Sequence, residues 1–259
     1  MSMRNTLGLL AAGMIPFLSA CGGGGSEAPA PTAAPAAGAP VAKAGASGTG
    51  NGSVAGKISF EGTAPGPQKV KVSGDAKCAA MHKDGIEKQA IKVKDGGVAE
   101  VLVYVKSGIS GTYPAPTEAA ILDQQAFKYT PLVLADQANQ PNTIRNSDDT
   151  LHNIHGQPAD NAEFNIGQPG KKDDAIKLDK PELKIKVGCD VHPWMRSTIH
   201  VLSHPFFAVT KEDGTYEIKG LPAGEYEVEA LHPTLPPVSQ KVTVQDSPAK
   251  LDLTLKSEG

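Results

Sequence analysis

The stretch Glu182-Leu183-Lys184-Ile185-Lys186-Val187-Gly188-Cys189-Asp190-Val191-His192-Pro193-Trp194-Met195 sets both the fold class and the chemistry of this chain. Its first half alternates apolar and charged residues, the period-two pattern of a half-buried strand. On that pattern Leu183, Ile185, Val187 and Cys189 share the inner face, while Lys184 and Lys186 take the outer one. Its second half places a thiol, an imidazole and a thioether three residues apart on a turn that leaves the strand. Sulfur, nitrogen and thioether form a soft donor set suited to copper in both oxidation states. Zinc more usually takes a second Cys or a His pair.

A trigonal copper site needs one more imidazole, and Asn146-Ser147-Asp148-Asp149-Thr150-Leu151-His152-Asn153-Ile154-His155 supplies two candidates. Three apart on an extended strand, His152 and His155 point to opposite faces, so one of them joins Cys189. His152 shares its face with Ile154, the expected core side. His155 is the substitute if His152 instead faces outward.

Working outward, the body of the chain is punctuated by Gly and Pro and carries short alternating runs, an all-β signature. Strands are expected over 54–60, 68–72, 98–105, 127–134, 140–145, 151–155, 182–189 and 198–202. Further ones are expected over 206–210, 215–218, 225–231, 240–244 and 250–255. Residues 116–126, with Glu118, Ala119, Ala120, Ile121 and Leu122, are compatible with a short helix. Asp213-Gly214 and Pro222-Ala223-Gly224 are turn signals. In 225–231, Tyr226, Val228 and Ala230 alternate with Glu225, Glu227 and Glu229, as in a sheet with one wet face.

Leu151-His152-Asn153-Ile154, followed 37 positions later by Cys189-x-x-His192-Pro193-Trp194-Met195, resembles the cupredoxins, and the short ligand loop resembles the amicyanin type. The resemblance implies an all-β, Greek-key β-sandwich holding one type 1 (blue) copper. It implies His152, Cys189 and His192 as equatorial ligands, Met195 as the axial ligand, and Asn153 as the residue that stiffens the site beside the thiolate. The run from Phe206 to Ala230, with the opening Gly52-Ser53-Val54-Ala55-Gly56-Lys57-Ile58-Ser59-Phe60, resembles the carboxypeptidase regulatory-like module, a small transthyretin-like β-sandwich. The expected division is a copper domain over 54–205 and this module over 206–256, with nesting of the two through 54–75 left open.

The chain opens with Arg4, an apolar run over 7–18, and Leu18-Ser19-Ala20-Cys21, an export signal over residues 1–20 too short and too broken by Gly and Pro to span a membrane. The end of the run resembles the lipobox of bacterial lipoproteins. That resemblance implies cleavage before Cys21, lipidation of Cys21, and an exported protein anchored to a bacterial membrane, facing the periplasm or the cell surface. Residues 21–53, nearly all Gly, Ala, Pro, Ser and Thr, are expected to be a disordered tether. With 25 Lys and Arg against 28 Asp and Glu, the formal charge is −3, and no basic cluster suggests a nucleic-acid partner.

The expected function is one-electron transfer by a monomeric, non-enzymatic carrier whose redox partner protein the sequence does not name. A closed four-ligand site offers no open position to substrate, and His192 is the natural electron exit if its ring edge reaches the surface. Trp194 and Pro193 are candidates for an apolar docking rim, packing over the metal being the alternative for Trp194. Copper storage or delivery is a second reading, favoured slightly by Cys78-Ala79-Ala80-Met81-His82 as a second soft-ligand cluster. A structural envelope lipoprotein with a Cys78–Cys189 disulfide is a third. His200 and His204 are expected at the surface, and His232 on an edge strand.

Overall fold

A computed structural model of the protein describes residues 50–72 and 74–257; the expected export signal, Cys21 and most of the tether lie outside them. The fold is all-β. Its strands form two sandwiches, each closed by its own apolar core.

In the sandwich that carries the site, one sheet runs in the order Phe164–Gln168, His152–Gln157, Glu182–Gly188, Arg196–Leu202, Val133–Gln137. The facing sheet runs Lys172–Ile176, Asn142–Asn146, Ala120–Gln125, Lys128–Thr130. Alternation along each strand sends Leu122 and Ile144 from one sheet, and Ile154, Ile185, Val187, Ile199 and Val201 from the other, into a shared core.

The second sandwich is assembled from both ends of the described chain. Gly52–Glu61 pairs antiparallel with Thr215–Leu221 and parallel with Pro248–Lys250 and Leu253–Lys256. Leu102–Ser107 pairs with Phe207–Val209 and Gly224–Leu231, the latter pairing in turn with Val238–Val244. Val54, Ile58, Val103, Val105, Ile218, Val228 and Ala230 fill its core. Residues 52–61, 91–107 and 206–255 thus share one core, residues 120–202 build the other, and Cys78 and Ile86 pack against Phe127. Where the two meet, Ala135 and Leu202 pack on Leu102, Tyr104, Phe207 and Leu231.

Several local expectations are corrected. The stretch compatible with a helix is the strand Ala120–Gln125, in parallel register with Asn142–Asn146; burial of Leu122 in the core outweighs helix propensity. The described helix lies elsewhere, over Ala76–Met81, with Asp75 as its N-cap accepting from the Cys78 amide. Leu183 is not an inner-face residue: the register shifts between Glu182 and Ile185, Lys184 adopts φ 62°, and Leu183 is 38% exposed. This bulge resets the alternation, after which Ile185, Val187 and Cys189 are buried as expected. His200 and His204 are buried rather than at the surface, as is His232. Glu229 also turns out to be buried, held by Tyr104 and Lys106.

Candidate metal centre

The centre sits where the strand Glu182–Gly188 ends and the loop 189–195 turns back into Arg196–Leu202. Three hydrogen bonds from backbone amides close that loop. The Met195 amide donates to the His192 carbonyl at 2.9 Å, the Cys189 amide to the Met195 carbonyl at 3.3 Å, and the His192 amide to Cys189 Sγ at 3.3 Å. The turn folds Cys189 and His192 together, and it buries the Met195 side chain in the same apolar core as Cys189.

His152 enters from the neighbouring strand. Its Nδ1 stands 3.0 Å from His192 Nδ1, and Cys189 Sγ stands 3.8 Å from that same nitrogen. Donor atoms of His152, Cys189 and His192 all lie within 4.8 Å of one another, and all three residues are buried. Two imidazole nitrogens and a thiol converging in an apolar pocket are a donor set that fits a soft metal ion. His155 stays outside: its ring faces Glu163 at 3.0 Å and Asp190 at 3.2 Å.

Each outer imidazole nitrogen meets a carboxylate. His152 Nε2 is 2.9 Å from Asp148 Oδ2, and Asp148 is itself fixed by the Ala126 and Phe127 amides at 2.8 and 2.9 Å. His192 Nε2 is 3.4 Å from Asp75 Oδ2. Such outer contacts fix the tautomer and turn both Nδ1 atoms inward. Neither carboxylate was singled out from sequence, although Asp148 four residues before His152, and Asp75 as an N-cap signal, were both readable there.

Asn153 is the clamp of the loop. Its Oδ1 accepts from the Asp190 amide at 2.7 Å and the Val191 amide at 3.4 Å, and lies 3.2 Å from Cys189 Sγ. Its Nδ2 donates to Asp190 Oδ2 and Asn165 Oδ1, both at 2.8 Å.

These contacts set the protonation tendencies. Burial opposes a charge on His152, but the Asp148 carboxylate and the Cys189 sulfur outweigh it and raise its pKa. Burial likewise disfavours a thiolate at Cys189, yet hydrogen bonds from His152 and the surrounding loop lower its pKa. His192 is lowered, by burial first and then by the neighbouring His152.

The ring edge of His192 does not reach the surface, its side chain being 2% exposed. Asp75 at the N-cap of Ala76–Met81, Phe127 and Trp194 pack against it. His82 Nε2 meets the Ala126 carbonyl at 2.9 Å, Lys77 bonds the Asp149 carbonyl, and Trp194 Nε1 donates to the Phe127 carbonyl at 3.2 Å. Trp194 is half-buried, its ring 5.2 Å from that of His192, so it packs over the centre, while Pro193 is exposed.

Cys78 and Cys189 are both free, which removes the disulfide reading. Their surroundings explain it: Cys189 turns toward the histidines, and Cys78 packs under the helix against Ile86 and Phe127. The soft cluster around Cys78 does not converge either, since Met81 is 57% exposed and His82 is engaged with Ala126.

No protein-family model matches the chain, and no curated protein matches it. Among solved structures, amicyanin from Paracoccus versutus matches at 18% identity and TM-score 0.30, over 38% of this chain and 96% of that one. A purple cupredoxin from Nitrosopumilus maritimus matches at 22% identity and TM-score 0.27, over 32% of this chain and 97% of that one. A copper-containing nitrite reductase from Thermus scotoductus matches at 18% identity and TM-score 0.31, over 39% of this chain and 25% of the reductase. The structural neighbours are cupredoxins. This chain spans only a quarter of the reductase.

Proposed function

We propose that the chain is a type 1 copper protein that carries single electrons and performs no bond chemistry of its own. His152, Cys189 and His192 are the equatorial ligands in this reading, Met195 is the axial ligand, and Asn153 holds the loop. One observation carries it: His152 Nδ1, His192 Nδ1 and Cys189 Sγ converge at 3.0 and 3.8 Å inside a buried, pre-shaped pocket. Copper bound there supplies a one-electron couple.

The rest of the site is what such a carrier needs from its protein. Asp148 and Asp75 orient the imidazoles, and Asn153 and the loop bonds hold the sulfur, so little rearranges between oxidation states. Burial argues against an exchangeable delivery site. In the proposed setting the chain is an exported monomer, tied to a bacterial membrane through lipid on Cys21 and meeting a separate redox partner.

The test is the visible and EPR spectrum of protein loaded with one equivalent of Cu(II). Intense absorption near ~600 nm with a narrow copper hyperfine splitting is expected, and the Cys189→Ser variant should lose it. Colourless binding, or rapid loss of the metal to a mild chelator, would favour storage or delivery instead.

A further inference from the structure

We infer that the groove along the outer face of Glu182–Gly188 and Arg196–Leu202 is the docking face for an acidic protein partner, the one with which this chain exchanges electrons. The redox half of this inference rests on the proposed function; the acidic-partner half does not.

The groove, about 570 Å³, is lined among others by Lys184, Lys186, Gly188, Arg196, Thr198 and Pro233. It lies where the second sandwich, at Pro233, stops covering that sheet. Cross-strand register pairs Lys186 with Thr198 and Gly188 with Arg196, so these side chains share the outer face. Lys184, Lys186 and Arg196 are exposed, and among the described residues none of the three forms an ion pair or a side-chain hydrogen bond. The rim carboxylate Asp190 is engaged by His155, Asn153 and Asn165. Three unpaired cations against the one carboxylate Asp190 leave the groove net positive on a chain whose formal charge is −3. An acidic surface is therefore attracted here, which orients the encounter.

Position ties the groove to the metal centre. Its floor, Val187-Gly188, leads directly into Cys189. A side chain at Gly188 would meet Arg196 Nη1 at 1.9 Å, so the guanidinium lies across the backbone one residue from the sulfur. With His192 sealed beneath Asp75 and Trp194, the peptide from Cys189 through Gly188 is a short covalent route to a charged surface. One electron crosses per encounter, this chain being oxidised as the partner is reduced or the reverse, and no proton or group is transferred.

The test uses two probes. In copper-free protein, the redox-inert paramagnetic trianion hexacyanochromate(III) should broaden amide resonances of 184–188 and 196–198, and K184E and K186E, singly and together, should abolish that broadening. Thermal melts establish that each variant folds, K186E avoiding the strained position 184. In copper-loaded protein at low salt, oxidation by hexacyanoferrate(III) should slow about tenfold in K184E/K186E, and the difference should vanish at high salt. Broadening centred on 171–172 or on Val191 and Pro193, or an unchanged rate, would overturn the assignment. Binding of phosphatidylglycerol vesicles that K184E/K186E abolishes would overturn it too, giving the groove to a membrane. A protein that shows the broadening but never the blue site would sink the proposed function and leave the acidic-partner face standing.

Discussion

Asp75 Oδ2 stands 3.4 Å from His192 Nε2, and the same carboxylate caps the helix Ala76–Met81 through the Cys78 amide at 2.8 Å. One side chain therefore ties the cover of the site to the ligand it covers. Asp75→Ala should leave a folded protein that still turns blue with copper but gives the metal up to a chelator faster, because both the cap and the orientation of His192 loosen. Chelator-exchange kinetics check this; unchanged exchange would mean that Trp194 alone seals the ring.

Asp148 does the same for His152 at closer range, and from a position anchored by two amides. Asp148→Asn keeps the shape and removes the charge. Copper affinity should fall by about 10- to 100-fold, the usual cost of losing a carboxylate behind a ligand histidine, as read by competitive titration.

Protons compete for the same pocket. Both outer nitrogens face carboxylates while the two Nδ1 atoms face each other at 3.0 Å, an arrangement that holds a proton between the rings when no metal is present. His152 is raised by Asp148 and Cys189 against the effect of burial, so this proton persists into the range where a free histidine would lose it. Copper affinity should drop about tenfold per pH unit for each proton displaced as pH falls through that range. Calorimetry in buffers of different ionisation enthalpy counts the protons released.

Stability has a separate pH term at Asp136. Both of its carboxyl oxygens are buried without a hydrogen-bond partner, and burial pushes the group up to about 7, with Asn142 alongside acting in the opposite sense. The folded state thus holds this proton more tightly than the unfolded one. Stability from this group is fully present below the unfolded value of 3.8 and is lost as pH rises toward 7. Asp136→Asn should raise the melting temperature at pH 8, by the equivalent of up to ~4 kcal/mol, and change it little near pH 4. His200 and His232, lowered by burial to about 3 and about 4, act in the opposite sense, costing stability as pH falls from 6.5. They are common to both proteins, so the variant isolates Asp136.

What could be read from the sequence, and what could not, divides on physical grounds. Strands such as Asn142–Asn146 and Leu253–Lys256 announce themselves by period-two burial, and the His152–Cys189–His192 convergence follows from strand parity and a three-residue turn. The bulge at Lys184 breaks that parity for one residue without any Gly or Pro to mark it. Ala76–Met81 is too short to show helical period. His200 read as a surface residue because a strand's outer face is normally wet; here that face is covered by the second sandwich at Ala135 and Leu202, contacts between segments far apart in the chain.

The central claim is tested most directly by copper K-edge X-ray absorption on the loaded protein, beside the Cys189→Ser variant. The account predicts one short copper–sulfur distance and two imidazole nitrogens in the wild type, with the short sulfur shell gone in the variant. A shell of nitrogen and oxygen alone, identical in both proteins, would contradict it.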